Sequence, residues 1–364
     1  MTAVLRQPGF WLWLPACLLG ALLMGQELRP AMGAFPGGAV AGLLMLFPVL
    51  VFGFWFFRRL HPARSRPKPY ALFATVWGAT AACGVALIAN TAFIGILSKT
   101  AGLKITDSWG AAIAAPVDEE TLKLLGVAVL VLLAPRAIRG SLDGYGYGAL
   151  VGVGFQVIED FLYVFNTIVL TGATMDVGAA FGSFFARVVF GAWWSHWTFT
   201  AVSGAGLGYL TGRTDRRLPG RVLVALAGYL LAMAMHCWWN SPFLTGGLLI
   251  NMAKGLPLLV GAVLLYRVLR HRYLGRFRQV AGAEVRNGVL LSGEDEILTH
   301  RKWRRAERRW MSSGESYDLV TRLRRAQLDL IDSDLSGEAA PRLRTEIVGL
   351  RARLTDCLRR QTES

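Results

Sequence analysis

The stretch Pro116-Val117-Asp118-Glu119-Glu120-Thr121-Leu122-Lys123 puts four ionisable side chains in the middle of an apolar run from about Gly110 to Ala134. On a membrane-insertion scale each central charge costs about 2.5–3.5 kcal/mol, while each Leu, Ile or Val returns roughly 0.3–0.6 kcal/mol. A helix of this composition should not sit alone in lipid. It has to turn its charged face into a bundle or a wet cavity, and ionisable groups placed that way mark an active or transport site. Lys123 stands four residues after Glu119 and three after Glu120, so along a helix it reaches either carboxylate and leaves the other free to act.

Three later apolar runs carry polar groups of their own. One presents Gln156, Glu159 and Asp160, the next His196 with Thr200 one turn on, and the third His236 with Asn240 one turn on. Each has a bland reading: a Lys123–Glu159 ion pair that only locks two helices, or a histidine hydrogen-bonded in the interior. Two histidines on consecutive helices, preceded by acids on two others, favour a site. Counting from the outer ends of the runs at 1.5 Å per residue, Glu119 lies roughly 15 Å below the outer surface, and Glu159, His196 and His236 can share its layer.

Two chemistries are open to this set. Glu159, His196 and His236 can hold Zn2+ with a position left for water whose proton a nearby Glu takes. Equally, Glu119 can activate water without metal while His236 and Asn240 stabilise the oxyanion. No HExxH, GxSxG, P-loop or dinucleotide-binding pattern is present. A proton- or ion-coupled transporter and a non-catalytic membrane scaffold are the readings from other classes. Against the transporter, the sequence has no clear internal repeat or broken helix.

The elements that must position these residues read as all-α. The chain of 364 residues is 54% hydrophobic, with a mean hydropathy of +0.42, which excludes an ordinary soluble globule. Apolar runs at about 9–25, 37–57, 71–97, 110–134, 144–170, 188–210, 222–240 and 245–266 predict a polytopic bundle of about eight transmembrane helices. The first is expected to be a retained signal-anchor. Arg58, Arg59, Arg64, Arg66 and Lys68, then Arg136 and Arg139, then Arg213, Arg216, Arg217 and Arg221 fill alternate loops, placing both termini in the cytoplasm. Arg187 is expected to snorkel at the outer end of the sixth span. Glycines opening the fifth span allow close helix approach.

Three regions follow: 1–70, two accessory helices and a stiff Pro-rich loop; 71–266, the chemical core; and 267–364, a cytoplasmic Arg-rich helical tail. In the tail, Leu343, Ile347, Leu350, Leu354 and Cys357 repeat at helix-face spacing, and turns are expected near Ser312-Ser313-Gly314 and Ser336-Gly337. Arg301-Lys302-Trp303-Arg304-Arg305 with Arg308-Arg309-Trp310 predicts an amphipathic helix on anionic inner-leaflet lipid. The net charge of +15 therefore reads as membrane topology and lipid contact, not nucleic-acid binding. The four cysteines are scattered and predict neither disulfide nor zinc knuckle.

The motifs Glu119-Glu120-xx-Lys123, Phe155-xxx-Glu159, Arg187…His196-xxx-Thr200 and His236-xxx-Asn240 together resemble those of the PrsW family of intramembrane proteases, relatives of the CAAX prenyl endopeptidases. The resemblance covers about 71–266. It implies catalytic carboxylates at Glu119 and Glu120, further site residues at Glu159, His196 and His236, and a plasma-membrane endopeptidase. The implied substrate is a single-pass membrane protein such as an anti-sigma factor, cut near the outer face. Asp160 departs from the family pattern, which has Asn after the Glu.

Overall fold

The computed structural model describes residues 2–135, 137–191, 194–311, 314–335 and 341–363; Arg136, Trp193, Ser312-Ser313 and Ser336-Gly337 lie outside them. The described residues are helical with no strand. All four cysteines are free thiols. The chain divides into two units, the first formed by 1–60, 66–212 and 218–266 and the second by 61–65, 213–217 and 267–364.

In the first unit, after a single helical turn at Thr2–Leu5, the helices are α1 (Pro8–Ala34), α2 (Pro36–Arg59), α3 (Lys68–Thr100), α4 (Leu103–Leu133), α5 (Ser141–Leu170), α6 (Asp176–Phe184), α7 (His196–Gly212), α8 (Leu218–Asn240) and α9 (Leu248–Arg286), the last continuing into the second unit. Six of these, α1, α2, α3, α5, α8 and α9, are long and apolar enough to cross a membrane. The fourth and sixth expected spans fall short of that measure for different reasons. α4 has the length but carries Asp118, Glu119, Glu120 and Lys123 together, and α7 has only 17 residues.

The sixth apolar run, 188–210, is not one helix. Its first residues end a π-helical turn, Phe185–Val189, that continues α6, and regular helix resumes only at His196. A polytopic bundle without a broken helix was the expectation. Hydropathy measures apolar length and is blind to this interruption. Irregular backbone at membrane depth is tolerated where protein buries it or a wet cavity adjoins it.

α5 is the central helix of the unit and packs along α7, α2, α3 and α6. At Gly152 a Cβ would stand 2.6 Å from the His196 carbonyl oxygen and from the Trp197 Cα, so only glycine lets the start of α7 lie this close. Gly148 repeats the arrangement one turn away, against Thr200. α3 contains a π turn at Gly78–Ala82, whose extra residue rotates the following half-helix by about 100° relative to an unbroken α-helix. That half carries Asn90.

The second unit holds α10 (Glu294–Thr299), α11 (Arg301–Trp310), α12 (Glu315–Leu335) and α13 (Pro341–Glu363). The predicted stripe on α13 is buried: Ile347, Leu350 and Cys357, flanked by Leu343 and Leu354, pack on Leu319, Leu323, Ala326 and Leu330 of α12. The loop His61–Ser65 is more than the stiff connector expected. Ala63 is fully buried among Phe277, Leu290 and Leu298, and Arg64 pairs with Asp329 at 2.8 Å and with Asp332.

Candidate active site

Four charges on α4 are tolerated because three of them meet partners from other helices. Lys123 and Glu120 are fully buried and Glu119 nearly so. The Lys123 Nζ lies 2.6 Å from Glu120 Oε1 and 3.3 Å from Glu119 Oε2, so both acids share it, with Glu120 the closer. The ammonium also sits over the Phe155 ring of α5, 4.2 Å from its centroid. The Lys123–Glu159 lock is therefore not formed, because the lysine is spent within its own helix and on His196, whose Nδ1 is 2.9 Å away.

The two imidazoles are held alike. His196 Nε2 lies 2.8 Å from Glu159 Oε2, and His236 Nδ1 lies 2.9 Å from Glu120 Oε1. An ionised carboxylate only accepts, so each of these ring nitrogens is the donor in its bond, and in a neutral ring the opposite nitrogen is the one that carries the lone pair. Those opposite nitrogens both lie near one oxygen, His196 Nδ1 at 3.6 Å and His236 Nε2 at 3.8 Å from Glu119 Oε2, with the Lys123 ammonium closer still to His196 Nδ1 at 2.9 Å. The rings stand nearly perpendicular, with centroids 5.2 Å apart. The other Glu119 oxygen accepts from Asn90 Nδ2 at 3.0 Å, and Glu120 Oε2 accepts from Thr200 at 3.3 Å.

Glu119, His196 and His236 each offer one ligand atom, all three within 4.8 Å of one another and all buried. Two imidazoles and a carboxylate suit a divalent metal with an open position. A second carboxylate behind each imidazole is the usual way of fixing a ligating tautomer. The set gathered here differs from the expected Glu159–His196–His236 in its carboxylate: Glu159 stands behind His196, and Glu119 faces both rings.

Arg187 does not snorkel. The π turn aims it inward, where Nε donates to Asp160 Oδ1 and Nη2 to Glu159 Oε2, both at 2.6 Å, with the guanidinium 3.6 Å from the Tyr163 ring centroid. Asp160, the departure from the family motif, is thus the second tooth of the arginine's grip on Glu159. A cavity of about 230 Å3 opens beside Arg187, walled also by Phe190, Gly191, Trp239, Leu248 and Asn251.

Asn240 is not brought to this group. One turn beyond His236 is also about 6 Å further along the axis, and its exposed amide donates to the Ala111 carbonyl at 3.3 Å. Two contributors escaped sequence reasoning. Asn90 is a polar residue in an apolar run, a signal that was present. The inward turn of Arg187 depends on a π turn that leaves no periodicity to read.

A family model described as PrsW family intramembrane metalloprotease matches residues 66–269. No curated protein and no solved structure matches the chain.

Proposed function

The chain belongs to the PrsW family of intramembrane metalloproteases, and from that membership we propose that it cleaves a membrane-protein substrate at the Glu119–His196–His236 group, with Zn2+ as the metal held there. The observation that carries this reading is the paired orientation of the imidazoles, each with one nitrogen on a carboxylate and the other turned to Glu119. Charge points the same way. Four carboxylates (Glu119, Glu120, Glu159, Asp160) face two fixed cations (Lys123, Arg187), and with neutral imidazoles a divalent ion balances the excess. When bound, such an ion supplies Lewis acidity toward a peptide carbonyl and lowers the pKa of water.

The protein's own groups do the positioning. Asn90 pins one Glu119 oxygen and leaves the other facing the rings. Glu120, compensated by Lys123, orients His236, and Glu159, gripped by Arg187, orients His196. Glu159 is the most accessible of the three glutamates, its side chain 18% exposed, and is the acid best placed to exchange a proton with water. The cavity beside Arg187 receives the unwound substrate segment. The basic loops support an orientation with both termini cytoplasmic in the plasma membrane and the site in the outer half of the bilayer. The substrate is then a single-pass protein of anti-sigma-factor type, cut near its outer face.

Lys123 favours a second reading. Its ammonium lies 2.9 Å from His196 Nδ1, a place where it opposes a cation, and without metal Glu119 is the general base. Cleavage of a co-expressed membrane substrate should vanish in Glu119→Ala and in His196→Ala at normal protein levels; persistence in Glu119→Ala overturns both readings. Stoichiometric zinc and chelator-sensitive cleavage select the first, and metal-free, chelator-resistant cleavage the second.

A further inference from the structure

Helix α11 is built inside out. Soluble helices turn an apolar stripe inward and charges outward. Here Arg304 is buried, donating to the Leu298 and Ala63 carbonyls, and Glu307 accepts from Arg324 Nε at 2.9 Å. What faces out is Trp303, Ala306 and Trp310, aligned at i, i+3 and i+7, with Trp303 47% and Trp310 91% exposed. Lys302, Arg305 and Arg309 repeat the same spacing one residue earlier and are also exposed. Beside them opens a groove of about 540 Å3, where Arg305, Arg308 and Arg309 outnumber the single acid, Asp318.

We propose that this face of α11 is a membrane-surface anchor, with Trp303 and Trp310 entering the interface of an anionic leaflet and Lys302, Arg305 and Arg309 meeting its phosphate headgroups. An indole carries on the order of 150–250 Å2 of largely apolar surface, and interfacial helices pair such rings with basic residues. Charge complementarity selects the occupant, since the exposed bases alongside the rings match acidic lipid. The tail is tethered to a multi-pass membrane protein, so lipid is always at hand. The buried Arg304–Glu307–Arg324 side locks the register in which both stripes point outward together.

The test uses the full-length protein carrying Cys237→Ser, reconstituted in phosphatidylcholine alone or with phosphatidylglycerol. Nitroxide labels are placed singly at Trp303→Cys, Trp310→Cys and the exposed control Val348→Cys. With phosphatidylglycerol, the labels at 303 and 310 should gain oxygen accessibility and lose accessibility to a water-soluble nickel chelate, while 348 does not change. Removing two bases in Arg305→Ala/Arg309→Ala should weaken the inserted state about 30-fold, at roughly 1 kcal/mol per basic residue near an anionic surface. These side chains are exposed, so the variant keeps the fold, checked by its circular dichroism. Labels that stay aqueous in anionic membranes, or that insert equally in phosphatidylcholine alone, overturn the proposal. So does protection at 303 and 310 only on adding nucleic acid or a soluble protein.

Discussion

Gly152→Ala tests whether the close approach of α5 and α7 holds His196 where the chemistry needs it. The added Cβ would meet the His196 carbonyl oxygen and the Trp197 Cα at 2.6 Å, whereas ordinary contact begins at 3.4 Å. Both obstacles are backbone, so no side chain can swing aside, and the start of α7 must retreat by about 0.8 Å. Overpacking of this kind costs about 1–3 kcal/mol of stability. The larger effect falls on rate, because misplacing a catalytic group by about 1 Å costs on the order of 10²-fold. His196 moves with its backbone, stretching the 2.8 Å bond to Glu159 and shifting Nδ1 from Glu119. The assay is the initial rate of substrate cleavage by purified enzyme in lipid, with thermal unfolding measured alongside. Gly95→Ala is the control, since nothing lies within 4 Å of its added methyl. Full activity in Gly152→Ala, or an equal loss in Gly95→Ala, refutes the reasoning.

Arg187→Ala leaves Glu159 and Asp160 side by side without their cation; losing one partner of a buried pair costs about 3–5 kcal/mol, so melting temperature and cleavage should both fall. Arg187→Lys should rescue little, because an ammonium cannot reproduce the two-pronged grip, and full rescue in either assay would contradict it. Asn90→Ala removes a hydrogen bond to a charged group worth about 1.5–3 kcal/mol and should lower kcat/KM by roughly 10- to 100-fold, read by steady-state kinetics against a fixed substrate. In the tail, burial pushes the Glu294 carboxyl up, but the Leu291 N–H and the Arg324 guanidinium outweigh it and hold the group below the usual range. Its contribution is therefore present above about pH 4.3 and lost as pH falls through the lower folded value. Hydrogen-exchange protection in α12, taken relative to the intrinsic rate at each pH, should fall over that acid window in wild type and already be low at neutral pH in Glu294→Gln.

The residues that gather at the site were legible because buried charge is costly enough to be conspicuous. Glu119, Glu120, Lys123, Glu159, His196 and His236 stand out against apolar neighbours wherever the helices are drawn. Their division of labour was not legible. Glu119 and Glu120 sit about 100° apart around α4, and which one faces both rings follows from the packing of α4 on α8 and α7. Arg187 escaped because it stands within a π turn that resets the helical phase, whereas Asn90 left a signal, a polar residue in an apolar run, that went unused. Helix continuity was not legible either: an unbroken apolar run at 188–210 reads as one span, although a π turn ends at Val189 and regular helix starts only at His196.

The loop His61–Ser65 has a consequence for how the chain comes to be folded. Arg64 is synthesised 265 residues before Asp329, the partner it meets inside the second unit. At roughly 5–20 residues per second, it waits on the order of 10–50 s for that partner to appear. The tail is thus neither the last domain to fold by itself nor a detachable appendage. It closes around a segment laid down between the second and third helices. A ribosome that stalls short of Phe277 leaves Ala63 without the apolar partners that bury it, and one that stalls short of Asp329 leaves Arg64 without its carboxylates, so this early loop settles only after the later segment has been made.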